Sequence, residues 1–171
     1  MTMAIRWPLN RPKPAASAAG TRTVLLASEG RRFTPEAIKF AARLARREGG
    51  GDGGHVRVLT VARLWGTGLG LPNPGLRPSK SELAEQEENV RLAIRQLEKM
   101  GIKADGNIVV TRDPRKSILR ETRRLGCEAI VMGADNRRPW LIADFMWSQA
   151  PYRVARCAPV PCHIVVAGAK T

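Results

Sequence analysis

Two histidines and three cysteines are the scarcest reactive side chains of this 171-residue sequence, and they set the first limit on its chemistry. Cys127, Cys157 and Cys162 form an odd set without a CxxC spacing, which argues against a disulfide framework and for a reducing, cytoplasmic setting. Cys157, Cys162 and His163 lie close in sequence as a metal set would. Cys162 and His163, however, are neighbours in an apolar β-rich run, so their side chains must leave opposite faces of a strand. His55 opens another such run, and both histidines read as structural. No spacing assembles a Ser/His/Asp set, so the expectation is a protein without a catalytic nucleophile. Phosphate chemistry is equally unmarked: there is no GxxxxGK[ST], and Ser28-Glu29-Gly30-Arg31-Arg32 is not GxGxxG. Gly66, Gly68 and Gly70 run into a Pro/Gly-rich stretch and read as a flexible loop.

The elements that must carry any site are better marked. Continuous apolar runs at Val24–Ala27, His55–Val61, Ile108–Val110, Ala129–Met132 and Cys162–Val166 predict strands covered on both faces. Thr34 as N-cap and Pro35 behind it open a helix whose inner face would be Ile38, Ala41, Ala42 and Ala45. Ser79 and Glu82 form a capping box before a long helix with Leu83, Val90, Ile94 and Leu97 inward, ending near Gly101. Asp113-Pro114 opens a third helix with Ile118, Thr122 and Leu125 inward and Gly126 as terminator, and Ser148–Ala155 a short last one. Strand and helix alternate throughout, which predicts a parallel, doubly wound α/β domain. Its binding sites should lie beyond the carboxyl ends of the strands, after Ala27, Val61, Val110 and Met132.

Residues 1–20 lack periodicity and carry Pro8, Pro12 and Pro14, so they are expected to form a mobile basic arm ahead of a domain over 21–171. The arm lacks the continuous apolar core of a signal peptide, and no run approaches the ~18 apolar residues of a membrane span. A domain this size buries about 70% of its unfolded surface without a metal or disulfide staple. Twenty-nine Lys and Arg against fifteen Asp and Glu leave a formal charge of +14, which attracts anions without naming one. Lys116, Arg120, Arg123 and Arg124 share the outer side of the third helix and read as a solvated face. Arg6, Arg11, Lys13, Arg22, Arg31 and Arg32 would act together on a polyanion. Trp7, Trp65, Trp140 and Trp147 are scattered among them without pattern, so sequence-specific nucleic-acid readout is not expected.

Several ordered strings resemble the universal stress protein family across Thr21–Val166. They are Val24–Gly30 before an Ala-rich helix, Asp113-Pro114 before Ile118-Leu119, Leu125–Gly133 around Ile130-Val131-Met132-Gly133, and Arg153-Val154 with Ala158-Pro159-Val160-Pro161 before the last strand. The resemblance implies a five-stranded parallel sheet of order 3-2-1-4-5 with helices on both faces. It also implies a homodimer paired through Cys162–Val166, an apolar edge that needs covering. ATP-binding members carry Gly-x2-Gly-x9-Gly-[Ser/Thr] after strand four, where glycine lets backbone amides approach phosphate. Gly133 matches the first glycine, but Asn136 holds the second position. Met146 and Trp147 hold the last two, or Trp147 and Ser148 with one residue inserted. Phe145, Met146 and Trp147 would crowd a phosphate and Asp144 would repel it.

The base end of such a pocket is better kept: Glu29 stands where binders place Asp, and Val61 and Met132 fall on its lining. Carried over residue by residue, the pocket comprises Glu29, Val61, Met132, Gly133, Asn136 and Ser148, with Arg137 and Arg138 as side-chain anion ligands in place of lost glycines. The expectation is therefore a non-catalytic stress-response binding module with a degenerate nucleotide pocket, no firm cofactor and a regulatory protein partner. The alternatives are an ATP-binding, slowly hydrolysing member that uses Arg137 and Arg138, and a charge-driven binder of polyanions or membrane surfaces. The aromatic cluster Trp140, Phe145, Trp147 and Tyr152 would anchor the last helix or face a partner subunit.

Overall fold

A run such as Val24-Leu25-Leu26-Ala27 has apolar side chains on both sides, so it is stable only between two covering layers. The computed structural model, which describes residues 22–49, 54–63, 78–134 and 150–166, places it there. In chain order the elements are β1 (Thr23–Ser28), α1 (Pro35–Gly49), β2 (His55–Arg63), α2 (Lys80–Lys99), β3 (Lys103–Thr111), α3 (Pro114–Arg124), β4 (Ala129–Ala134), α4 (Ala150–Ala155) and β5 (Cys162–Val166). All four strand pairings are parallel and the order is β3-β2-β1-β4-β5.

Side-chain alternation divides the interior into two cores. Val24, Leu26, Val56 and Val58 face α1 and α2, joined by Ile38, Ala41, Ala45, Val90 and Leu97. Leu25, Ala27, Leu59, Ile130 and Met132 face the other way, with Ile118 and Leu119 of α3 and Val154 of α4. The caps fall where the sequence put them. Thr34 Oγ1 accepts from the Ala37 amide (3.2 Å), Ser79 and Glu82 satisfy each other's backbone, and Asp113 accepts from the Lys116 amide (3.1 Å). Gly101 and Gly126 close α2 and α3 at φ +75° and +59°.

One boundary and two buried faces depart from the sequence reading. β3 is nine residues long, not three, because its ladder with β2 continues from Arg63↔Thr111 down to His55↔Lys103. The polar residues Lys103, Asp105 and Asn107 belong to this edge strand, where one face needs no apolar cover. Gly106 sits on its other face, and a Cβ there would collide with Val90 and stand 2.9 Å from Ile94 Cδ1, so the glycine admits α2. On α2 the buried residues are Asn89, Val90, Ala93 and Leu97, while Leu83 and Ile94 are half-buried. On α3, Ile118 and Thr122 are buried as foreseen, Leu125 is half-buried, and Ser117, Leu119 and Glu121 are buried in addition.

The amino-terminal half of the β2–β3 pair carries a charge cluster. Arg57 and Asp105 are register partners joined by a hydrogen-bonded ion pair, and His55 Nε2 lies 3.3 Å from Asp105 Oδ1. Burial alone would push the Asp105 carboxyl up. The His55 hydrogen bond and the Arg57 charge outweigh it and hold the group below the ordinary carboxylate value. A depressed carboxylate stabilises the fold above its unfolded pKa and loses that contribution as pH falls through the folded value. Melting curves are therefore expected to show parent and Asp105→Asn converging as pH falls below about 4, the parent being more stable only above that range.

Candidate functional site

The strand order reverses at β1. From β1 the chain runs through α1 to β2 and through α2 to β3, then returns through α3 to β4 on the opposite side of β1. Connections leaving β1 and β4 thus diverge, and their carboxyl ends flank the crevice that doubly wound sheets use for ligands.

The β1 side of this crevice is a braced turn. Ser28 Oγ donates to the Arg31 carbonyl (2.6 Å) and accepts from the Arg31 amide (3.1 Å), closing a loop around Glu29 and Gly30. Gly30 takes φ +73°, a conformation glycine adopts at little cost, and a Cβ there would stand 3.5 Å from the Val61 carbonyl. Gln86 of α2 holds the turn from outside: its Nε2 donates to the Gly30 carbonyl (2.8 Å) and its Oε1 accepts from the fully buried Thr60 hydroxyl (2.9 Å). Glu29, half-buried, is presented on this braced segment beside the end of β2.

The other sequence-derived residues divide three ways. Val61 and Met132 lie near the ends of β2 and β4 as core residues, 1% and 2% exposed, on the α3 side of the sheet. Gly133 faces α1, where a Cβ would meet Thr34 Oγ1 at 3.4 Å and Ala37 at 3.8 Å, so the start of α1 rests against the end of β4. Asn136, Arg137, Arg138 and Ser148 lie outside the described residues, as do Trp140, Phe145, Trp147 and the arm.

Thr60 and Gln86 were not singled out in the sequence, yet Gln86 carried a signal. It falls on the inward stripe of α2 between Leu83 and Val90, where a polar side chain needs a partner.

His163, Cys162 and Cys127 are held in structural roles, while Cys157 is exposed. His163 packs its ring on Phe40 of α1 with centroids 5.1 Å apart, while Cys162 packs into the opposite core, so the two do leave opposite faces of β5. Burial pushes the Cys127 thiol up to about 12, which keeps it a neutral core residue. Among the described residues no group of three His, Cys, Asp or Glu is placed to hold a metal ion, and no helix is long and apolar enough to cross a membrane.

A parallel 3-2-1-4-5 sheet defines a doubly wound α/β protein, and the acid-bearing turn after β1 and the glycine near the end of β4 mark a candidate site at the β1/β4 switch point. This chain belongs to the universal stress protein family, whose sequence profile matches residues 20–166. Solved structures share the fold at low identity. Universal stress protein UspA from Lactobacillus plantarum is 17% identical, with a TM-score of 0.64 over 86% of this chain and 99% of that one. A universal stress protein from Archaeoglobus fulgidus is 18% identical, with a TM-score of 0.63 over 84% and 93%. One from the same organism, solved in complex with dAMP, is 19% identical, with a TM-score of 0.58 over 85% and 98%. No curated protein matches the sequence significantly.

Proposed function

We propose that this chain is a non-catalytic regulatory member of the universal stress protein family, with a crevice that takes the nucleoside end of an adenine nucleotide. The observation that carries this reading is the turn from Ser28 to Arg31, braced at both ends and set against the Val61 carbonyl, which presents Glu29 at the switch point. A carboxylate there can accept hydrogen bonds from ribose hydroxyls or an exocyclic amine. Support also comes from structural neighbours solved with dAMP and with cAMP. The phosphate end differs: after Gly133 the sequence offers Asn136 and Met146 where close amide approach needs glycine, and Trp147 where a hydroxyl is needed. Monophosphates should therefore bind no more weakly than triphosphates, and no hydrolysis should follow.

Homodimerisation through β5 and a cytoplasmic setting complete the proposal. Among the described strands β5 pairs only with β4, and its last residue, Val166, is 47% exposed. The test of the site itself is Gln86→Ala. Loss of the brace is expected to weaken AMP binding by about tenfold, because Glu29 would no longer be held in one position. Unchanged AMP affinity would show that the braced turn does not touch the ligand.

A further inference from the structure

The charge of this molecule is not spread evenly over its two faces. On the α1/α2 side, α2 interleaves Glu82, Glu85, Glu87, Glu88 and Glu98 with its cations. On the opposite side, Arg112 precedes the cap of α3, and Arg115, Lys116, Arg120, Arg123 and Arg124 follow one another along the helix, all of them exposed. Arg153 and Arg156, also exposed, extend the row onto α4, which packs beside α3. The carboxylates of α3 and its cap do not oppose an incoming anion. Asp113 caps the helix and pairs with Lys116 (3.6 Å), and Glu121 is buried against Arg124 (2.7 Å). Among the described residues Arg112, Arg120, Arg123, Arg153 and Arg156 have no ion-pair partner, and Arg115 touches only the Cys157 sulphur (3.9 Å).

We infer that the α3/α4 face binds the sugar–phosphate backbone of a nucleic acid, without reading its bases. Lys116, Arg120 and Arg124 recur every fourth residue, a rise of about 6 Å per step along the helix, and Arg112 stands just ahead of its cap. That repeat is of the same order as the spacing of successive phosphates along one strand. Seven of the eight cations are arginines, whose planar fork grips phosphate through two hydrogen bonds. A membrane surface fits less well, because every exposed side chain on α3 is charged, and the exposed Tyr152 of α4 does not by itself make the continuous apolar face that enters a bilayer. This surface lies on α3 and α4, not on the braced turn, so it is independent of the nucleotide crevice.

The experiment is fluorescence anisotropy of the full chain with a fluorescein-labelled, mixed-sequence oligonucleotide, single-stranded and as its duplex, over a range of salt. The variants are Arg120→Glu/Arg123→Glu and, as a charge-matched control on α2, Arg95→Glu/Lys99→Glu. Binding by the parent is expected to fall with salt at a log–log slope of about −3 for four phosphate contacts on a single strand. The α3 variant should lose at least about tenfold in affinity and about one to two units of slope, while the α2 control changes little. Circular dichroism checks that the α3 variant folds. If it does not, Arg120→Gln/Arg123→Gln is used, with a smaller loss in the same direction expected. An equal loss in the α2 control would overturn the inference, because net charge and not this face would then be responsible. Tighter binding to phosphatidylserine vesicles or to polyglutamate than to either oligonucleotide would overturn it as well.

Discussion

Gly54→Ala is expected to cost the fold about 3 kcal/mol and roughly 10 °C in melting temperature, although it adds a single methyl group. Gly54 precedes β2, where the chain passes under the last turns of α1. A Cβ there would overlap the Ala45 carbonyl, at 2.6 Å from its carbon and 2.9 Å from its Cα. These are backbone atoms of a helix whose Ala45 is itself completely buried, so neither side can yield by a rotamer change. The fitting control is Gly101→Ala, whose Cβ would meet nothing within 4 Å and whose φ of +75° alone costs about 1 kcal/mol. Urea unfolding of the three proteins tests the contrast. A Gly54→Ala stability within experimental error of the parent would mean that α1 and β2 do not meet as described.

Arg124→Ala should destabilise by about 2–3 kcal/mol, more than an exposed arginine ordinarily contributes, because of what it leaves behind. Glu121 has a side chain only 10% exposed and receives three hydrogen bonds from the Arg124 guanidinium: Nε at 3.2 and 3.1 Å and Nη2 at 2.7 Å. The same bonds hold the Arg124 pKa above its ordinary value. Deleting the arginine strands a buried carboxylate. Replacing the carboxylate as well, in Glu121→Gln/Arg124→Ala, should recover more than about 1 kcal/mol, since a neutral amide costs far less to bury. Equal instability of the single and double variants would assign the loss to packing of the Arg124 stem.

Local signals legible in the sequence were those whose physics acts within a few residues. The capping box at Ser79 and Glu82, the Asp113-Pro114 helix start and the continuous run Cys162–Val166 each specify their own conformation and appear where they were expected. The sheet order followed from the resemblance to the family, not from any one segment.

What escaped the sequence depends on partners distant along the chain. The polar half of β3 has little strand propensity, and only pairing with β2 makes Lys103, Asp105 and Asn107 extended. Glu121 is buried only because α3 lies on the sheet. Gln86 gains its meaning from Gly30, 56 residues earlier, and from Thr60. At the site, Glu29, Val61, Met132 and Gly133 could be placed at the strand ends because they are tied to β1, β2 and β4. Asn136, Arg137, Arg138 and Ser148 fall outside the described residues.

The central claim is that the crevice accepts the nucleoside end of an adenine nucleotide without a working triphosphate cradle. Calorimetric titration of the purified protein with AMP and with ATP tests it most directly. Micromolar AMP binding is expected, with ATP no tighter than AMP and no ADP formed during the ATP titration. ATP binding at least about tenfold tighter than AMP, a gain of ~1.4 kcal/mol from the added phosphates, would contradict it and turn attention to Arg137 and Arg138 as phosphate ligands. Absence of heat with both nucleotides would contradict it equally, leaving the braced turn without a nucleotide to hold.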